Sequence, residues 1–397
     1  MSAKTKQGTN QEDVQEMNRS LVIRLLRKRK VCSRAELAQA SGLNQSTITH
    51  IINEFMSWGL VVETGMMDGK KGRRSIGVKL NSESYKIIGV RLARKSTAVG
   101  LYDLDGNEYS CRQSAVSAAD GSSKGLNQLK KLIAEAMKGN ASGQVIAIGL
   151  AAPSPLQHHE GKLELAASPP GWERANIQEE LKTVFELPVY TEYDAKAGAL
   201  AHWWLEEAHQ DHGVIIYVEA GQELRAGIVM DGKVYPGSLG AAGEIGHMSI
   251  DYKGPACECG HTGCLELYSS TSALLKSLDK DHTALKSVWK DLRDQDELTV
   301  EAVRKAAWYL GFGLVNLVNL VNPDRIILGG ELSSAGDLWI NTIQEVVKEH
   351  VRPAISSELT IELTSFEQDD ILLGSATIAI DRILGQPSSI LSPVTPE

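Results

Sequence analysis

The sequence contains no apolar run near the roughly 20 residues that a membrane-spanning helix needs, which argues against membrane insertion. It opens without the charged and apolar regions of a secretory signal, so a cytoplasmic location with reduced thiols is expected. Cysteine is scarce, five in 397 residues, and in a reducing compartment these do not form a disulfide framework. Positive charge is in deficit: 41 Lys+Arg against 50 Asp+Glu leave a net −9, which taken alone discourages a nucleic-acid partner. What remains is a globular composition, 42% hydrophobic and 23% charged, in a chain long enough for two or three domains.

Both scarce residue classes are concentrated. Residues 1–80 hold 14 Lys+Arg and 7 Asp+Glu, a net +7, while the other 317 carry 27 against 43, a net −16. A basic head on an acidic body points to a DNA-binding module fused to something else. Among the cysteines, Cys257, Cys259 and Cys264 fall within eight positions, with His247 ten residues upstream. Three thiolates and one imidazole complete a tetrahedral Zn²⁺ site, with His261, inside the same loop, as the alternative fourth ligand. Four protein ligands leave no position for an activated water, so the zinc is expected to be structural. The isolated Cys32 and Cys111 read as small buried hydrophobes.

Taken in order, residues 1–11 are polar and aperiodic and read as a disordered arm, and residues 12–80 as a DNA-binding domain. Val14, Met17, Leu21, Val22, Leu25 and Leu26 recur at helical spacing. Ser33 with Glu36 forms a capping-box pattern for a second helix, Ser41-Gly42-Leu43 makes a turn, and a third helix follows from Gln45. This is a helix-turn-helix layout. Gln45, Ser46, Thr47, Thr49, His50 and Asn53 offer hydrogen-bonding groups for base edges, with Ser33 and Arg34 as further contacts. Two alternating segments then flank a basic loop bearing Lys70, Lys71, Arg73 and Arg74, which makes the head a winged helix-turn-helix with a phosphate-binding wing.

Gly243-Glu244-Ile245-Gly246-His247 followed by Cys257-Glu258-Cys259-Gly260-His261-Thr262-Gly263-Cys264-Leu265-Glu266 resembles the signature of the ROK family, named for repressors, open reading frames and sugar kinases. The resemblance implies an α/β architecture: the head, then a two-lobed actin-like, ribonuclease-H-like sugar-kinase fold. The lobes are expected at residues 86–205 and 213–384, with the zinc loop at 243–266, and residues 385–397, rich in Pro and Ser, as a disordered tail. The wing resembles the glycine-arginine-proline hook of ROK repressors at Gly72, Arg73 and Arg74, with arginine in place of proline.

Two functions compete within the family: an ATP-dependent sugar kinase with a regulatory head, and a repressor that binds sugar without phosphorylating it. Family kinases carry Asp-x-Gly-Gly-Thr in the first strand; the matching run here is Arg91-Leu92-Ala93-Arg94-Lys95. Their second phosphate loop, Gly-Thr-Gly, matches Glu219-Ala220-Gly221. Bulk and an acid at these positions oppose nucleotide binding. The resemblance implies sugar contacts at Asp194, Glu244, His247 and Glu266, with Tyr193 in place of the usual asparagine, and His247 shared between zinc and ligand. Residues 167–172 resemble the loop over the cleft, bringing Trp172 near the sugar, whereas Trp203 and Trp204 read as core packing. The expectation is a homodimeric, non-enzymatic repressor of carbohydrate genes, bound to a double-stranded operator and controlled by a sugar or sugar phosphate.

Overall fold

The computed structural model describes residues 10–67, 75–93, 96–115, 121–138, 143–153, 156–159, 162–165, 177–205, 213–281 and 283–391. Lys70, Lys71, Arg73, Arg74, Arg94, Lys95 and Trp172 lie outside the described residues, as do 1–9 of the expected arm and 392–397 of the expected tail.

The head begins with α1 (Gln11–Arg29), whose first turn is closed by Asn10 and Asp13 exchanging side-chain and backbone hydrogen bonds. After β1 (Val31–Ser33) come α2 (Arg34–Ser41) and α3 (Gln45–Ser57). Ser33 caps α2 in the box that the Ser33/Glu36 spacing announces, Gly42 ends it at φ +71, and Asn44 caps α3. Strands β2 (Val61–Met67) and β3 (Ser75–Leu80) complete a three-stranded sheet in the order β1-β3-β2. β1 is too short to show any alternation in sequence, and only its pairing with β3 makes it visible. Val22, Ile23, Leu26, Leu37, Ile48, Ile52 and Phe55 form the interior.

The first lobe runs through β4 (Tyr85–Leu92), β5 (Ser96–Asp103), β6 (Glu108–Ala115), α4 (Gly121–Lys138), β7 (Gln144–Ala152), the hairpin β8 (Leu156–His159) and β9 (Lys162–Leu165), α5 (Ile177–Phe185), β10 (Val189–Tyr193) and α6 (Asp194–Leu205). The second contains β11 (Val214–Ala220), β12 (Leu224–Met230), β13 (Lys233–Val234), α7 (Glu266–Ser269), α8 (Thr271–Ser277), α9 (Leu285–Arg293), α10 (Glu297–Val321), β14 (Arg325–Gly329), α11 (Asp337–His350), α12 (Pro353–Ser356) and β15 (Thr360–Leu363). Last come α13 (Asp370–Gly385) and α14 (Ser388–Leu391). The sheets share one plan, β10-β7-β4-β5-β6 and β13-β12-β11-β14-β15: each has an antiparallel meander whose first strand is joined by two parallel strands. This is the duplicated actin-like architecture.

The two lobes exchange helices. α6 leaves the first sheet and packs on β11 and β12 of the second, while α13 follows the second sheet and packs on β4 and β7 of the first. A Cβ on Gly149 would overlap the Ser375 carbonyl, and one on Gly227 the Ala195 carbonyl, so these glycines let helix backbone rest directly on strand backbone. The span 213–384 is therefore corrected at its end: α13 belongs by packing to the first lobe and also shares a buried cluster with the head, through Ile380, Ile383 and Leu384. The tail is corrected too. Leu391 is buried, and Ser388 donates from its backbone and hydroxyl to Glu16 of α1, contacts that a Pro- and Ser-rich composition cannot reveal. Cys32 is buried as expected, but Cys111 on the edge strand β6 is exposed.

Gly149→Ala is expected to destabilise the protein by about 1–3 kcal/mol or more, the usual cost of overpacking. Gly336→Ala supplies a control where no atom lies within contact of an added Cβ, though its φ of +61 carries its own backbone cost. Thermal unfolding of the two variants makes the comparison, and a smaller loss for Gly149→Ala would contradict the close-packed crossing.

Candidate functional site

The metal-ligating side chains sit on a segment with almost no regular structure, so turn geometry must place them. Cys257 N–H donates to the His261 carbonyl at 2.8 Å and Gly260 N–H to the Cys257 carbonyl at 3.0 Å, folding the loop back on itself. Short bridges Ser249–Cys264 and Ala256–Thr262 tie its ends. His247 arrives from a single 3-10 turn, Ile245–His247. One ligand atom from each of His247, Cys257, Cys259 and Cys264 lies within 4.8 Å of the others. The Cys259–Cys264 sulfurs are 3.6 Å apart, and His247 Nδ1 is 3.8 Å from Cys257 Sγ. Ligands at tetrahedral zinc distances stand roughly 3.5–3.8 Å apart, so the donor set fits the ion. His261 is exposed and outside this group.

The same histidine opens onto the cleft. Its Nδ1 faces the sulfurs and Glu266 Oε1, 3.2 Å away, while Nε2 faces Glu244 Oε2 at 3.9 Å. Tyr193 is fully buried and donates its hydroxyl to Glu244 Oε1 at 2.6 Å, so it holds Glu244 in place. Asp194 is the first residue of α6. Its Oδ1 accepts the Ala195 N–H at 2.7 Å, and its Oδ2 accepts Arg225 Nη1 at 2.7 Å. Arg225 also pairs with Glu223. Burial pulls the Arg225 guanidinium down, but Asp194, with Tyr193, Glu219 and Glu244, carries its pKa above the ordinary value. The Asp194 carboxylate, expected as a sugar contact, is therefore paired with a fixed cation.

A second set of paired charges joins β4 to β11. Arg91 of β4 reaches Asp369 Oδ2 at 2.5 Å and Glu219 Oε1, on β11, at 3.0 Å. Asp369 also caps α13 by accepting the N–H groups of Ile371 and Leu372. Behind this pair, the Tyr217 hydroxyl lies 2.8 Å from Glu219 Oε2 and 3.0 Å from Asp370 Oδ2. One hydroxyl proton serves two carboxyl groups, an arrangement eased when one of them keeps its own proton. Burial pushes both Glu219 and Asp370 upward, against the opposing pull of Arg91 on the first and His202 on the second.

In the head, Gln45, Ser46, Thr49, His50 and Asn53 project to solvent along α3, and Thr47 is half-buried. Ser33 is a correction: only 4% exposed, it caps α2 and bonds Glu36, so its hydroxyl is unavailable to DNA. Arg34 pairs with Glu63 at 3.0 Å. Trp203 packs in the core and the half-buried Trp204 packs against it, with the Arg24 and Arg27 guanidinium carbons 4.6 and 4.7 Å from the Trp204 ring centroid. Arg225 was missed because a lone arginine in an alternating strand looks like a solvent-facing residue. Arg91 and Glu219 stood out singly; their opposite signs on two loops facing one ligand were the signal that they pair.

The ROK family profile matches residues 87–382. The chain belongs to the ROK family. Similar full-length proteins include the xylose repressor of Bacillus subtilis (strain 168), 28% identical over 383 residues that span 94% of this chain and 98% of that one. A crystal structure of a ROK family transcriptional regulator, described as a homolog of the E. coli MLC protein, superposes with a TM-score of 0.79 over 94% of this chain and 97% of its own, at 24% identity. A ROK family glucokinase from Streptomyces griseus, in complex with glucose and AMPPNP, reaches 0.64 at 25% identity, covering 73% of this chain and 98% of its own.

The metal centre is open to a direct test by elemental analysis. His247→Ala, Cys257→Ser and Cys259→Ser are expected to lose bound zinc and to unfold at lower temperature, as is the native protein after chelation. His261→Ala should retain the metal; the reverse pattern for the two histidines would reassign the fourth ligand.

Proposed function

We propose that this ROK protein is a DNA-binding transcriptional repressor whose two-lobed body binds a sugar or sugar phosphate without phosphorylating it. The observation that carries the reading is the Arg91–Glu219–Asp369 bridge. It fills the phosphate side of a sugar-kinase fold with paired side chains, where phosphoryl transfer requires backbone amides and room for Mg²⁺. The Asp194–Arg225 pair supports the same conclusion, since the carboxylate is occupied by a fixed cation and not left open to a substrate hydroxyl.

The ligand surface consists of Glu244, His247 and Glu266, with Asp194 and Tyr193 behind them. Partly exposed carboxylates and an imidazole suit the paired hydroxyls of a sugar. Xylose is the first candidate, from the name of the Bacillus subtilis relative. A structural Zn²⁺ on His247, Cys257, Cys259 and Cys264 fixes the imidazole for this purpose. The head reads an operator through the exposed face of α3, with Lys70, Lys71, Arg73 and Arg74 on phosphates, and a homodimer presents two heads to a two-fold site.

Each part has its own assay. Coupled measurement of ADP release over pentoses and hexoses should show no turnover; turnover with any of them restores the kinase reading. Binding sugar should raise the melting temperature of the native chain, by about 2.7 kcal/mol of added stability at 100 times the dissociation constant, and Glu244→Gln should remove that response. For DNA, the log–log dependence of affinity on salt should flatten by about 0.9 for each phosphate left without its cation when a wing lysine or arginine becomes alanine. Four alanine variants that leave the slope unchanged would remove the wing from the interface.

A further inference from the structure

Between α1 of the head and α6 of the body lies a groove of about 2090 Å³ whose walls include Arg24, Arg27, Lys30, Trp204 and Arg382. Its volume exceeds the usual ~300–1,000 Å³ of a small-molecule pocket, so a compact ligand has room. Two N–H donors at its wall have no partner among the described residues: Arg27 Nη1 and Trp204 Nε1. They belong to different parts of the fold, and the Arg27 guanidinium lies over the Trp204 ring.

Arg27 is only 5% exposed. Its neighbour Arg24 is satisfied, with Nη2 on Asp381 Oδ1 at 2.9 Å and Nε on Ser20 Oγ at 3.1 Å. The acids that line the groove all have partners: Asp381 holds Arg24, Asp105 faces Lys30 at 3.9 Å, Glu16 accepts from Arg19 and Ser388, and Asp13, Glu192 and Asp231 accept the backbone N–H groups of Asn10, Tyr193 and Gly213. Burial lowers the pKa of Arg27 to about 10, with Asp105 the main opposing influence, so the group still carries its charge at neutral pH. A buried cation without a hydrogen-bonded counter-ion is costly, and such a site selects for an anion that supplies one.

We propose that this groove is a binding site for a phosphomonoester, with Arg27 and Trp204 as donors to the phosphate oxygens. A phosphate brings two negative charges and three acceptor oxygens, which match donors spread over two walls better than a planar carboxylate does. Because Arg27 belongs to the head and Trp204 to the body, an occupant braces one against the other and alters how firmly the head is held for DNA. The site is separate from the sugar cleft at Glu244 and His247.

The full chain is titrated with inorganic phosphate, a hexose 6-phosphate, the free hexose, and chloride at matched ionic strength, reading melting temperature and calorimetric affinity. Both phosphates are expected to raise the melting temperature and chloride to leave it unchanged. Inorganic phosphate as strong as the sugar phosphate assigns the free ion as ligand; a stronger sugar phosphate assigns the ester. Arg27→Met should weaken phosphate binding by about tenfold or more, since a charge-assisted hydrogen bond is removed. It should stay folded, because an apolar chain of similar length removes an unpaired buried charge. Trp204→Phe keeps an aromatic ring, removes the N–H and should also weaken binding, while Glu244→Gln should leave the response to inorganic phosphate unchanged. Equal phosphate affinity in native and Arg27→Met protein overturns the proposal. So do an equal response to chloride, no response to either phosphate, and a response to inorganic phosphate abolished by Glu244→Gln.

Discussion

The body of this protein depends on two helices crossing between two sheets at backbone contact. α6 and α13 each begin at the end of one sheet and pack on the other, and Gly149, Gly227 and Gly374 remove the side chains that would hold them apart. Gly374 is the point where the helices touch, since a Cβ there would overlap the Ala197 carbonyl. Close packing of this sort is stiff, because shape complementarity at the scale of single atoms tolerates few alternative arrangements. It also sets the position of both ends of each helix. Asp194 stands at one end of α6 and Asp369 just before the start of α13, so the acids facing the cleft are placed by the same crossing that joins the lobes.

The charges around the cleft follow from that placement. An arginine on each of two strands, Arg91 and Arg225, enters a region crowded with Asp194, Glu219, Glu223, Glu244 and Asp369. Removing either arginine alone leaves partly buried carboxylates without a counter-ion, which is far more damaging than the net worth of a buried pair suggests. Glu219 without Arg91 would be a buried carboxylate that has lost its cation, whereas Arg91 without Glu219 would keep Asp369; the Arg91–Glu219 contact joins β4 of one lobe to β11 of the other.

The His/Cys cluster, the capped head helices and the two alternating head strands were legible because each depends on neighbours in sequence. The Ser33/Glu36 box, the Cys257–Cys264 spacing and the strand alternation are local patterns that need no tertiary context. What could not be read was set by partners far along the chain. Arg225 meets Asp194 thirty-one residues away, and Arg24 of the head meets Asp381 of the last long helix. The fate of the last residues shows the same limit, since a Pro- and Ser-rich stretch is held by a glutamate on the first helix. Trp204 packs on the core as its helical spacing suggests, but the cations over its ring come from the head and leave no mark in the local pattern.

Regulation of the head by a ligand in the cleft requires an element that both sites touch, because a ligand shifts an equilibrium only through different affinities for its two states. α6 is such an element. Over about 15 Å it runs from Asp194, facing Arg225 and Tyr193, to Trp204, stacked under Arg24 and Arg27 of α1. A ligand that displaced Arg225 from Asp194 would act on the first residue of a helix whose backbone rests on β12 and on α13. Such a helix would move as a body, carrying the Trp204 ring near its other end. There it meets the Arg24 and Arg27 guanidinium groups of the head, beside the Arg24–Asp381 pair and the buried apolar cluster that α13 shares with the head. The joint thus combines a packed apolar contact on α13 with polar contacts on α6, and only the polar contacts can exchange partners without exposing buried surface.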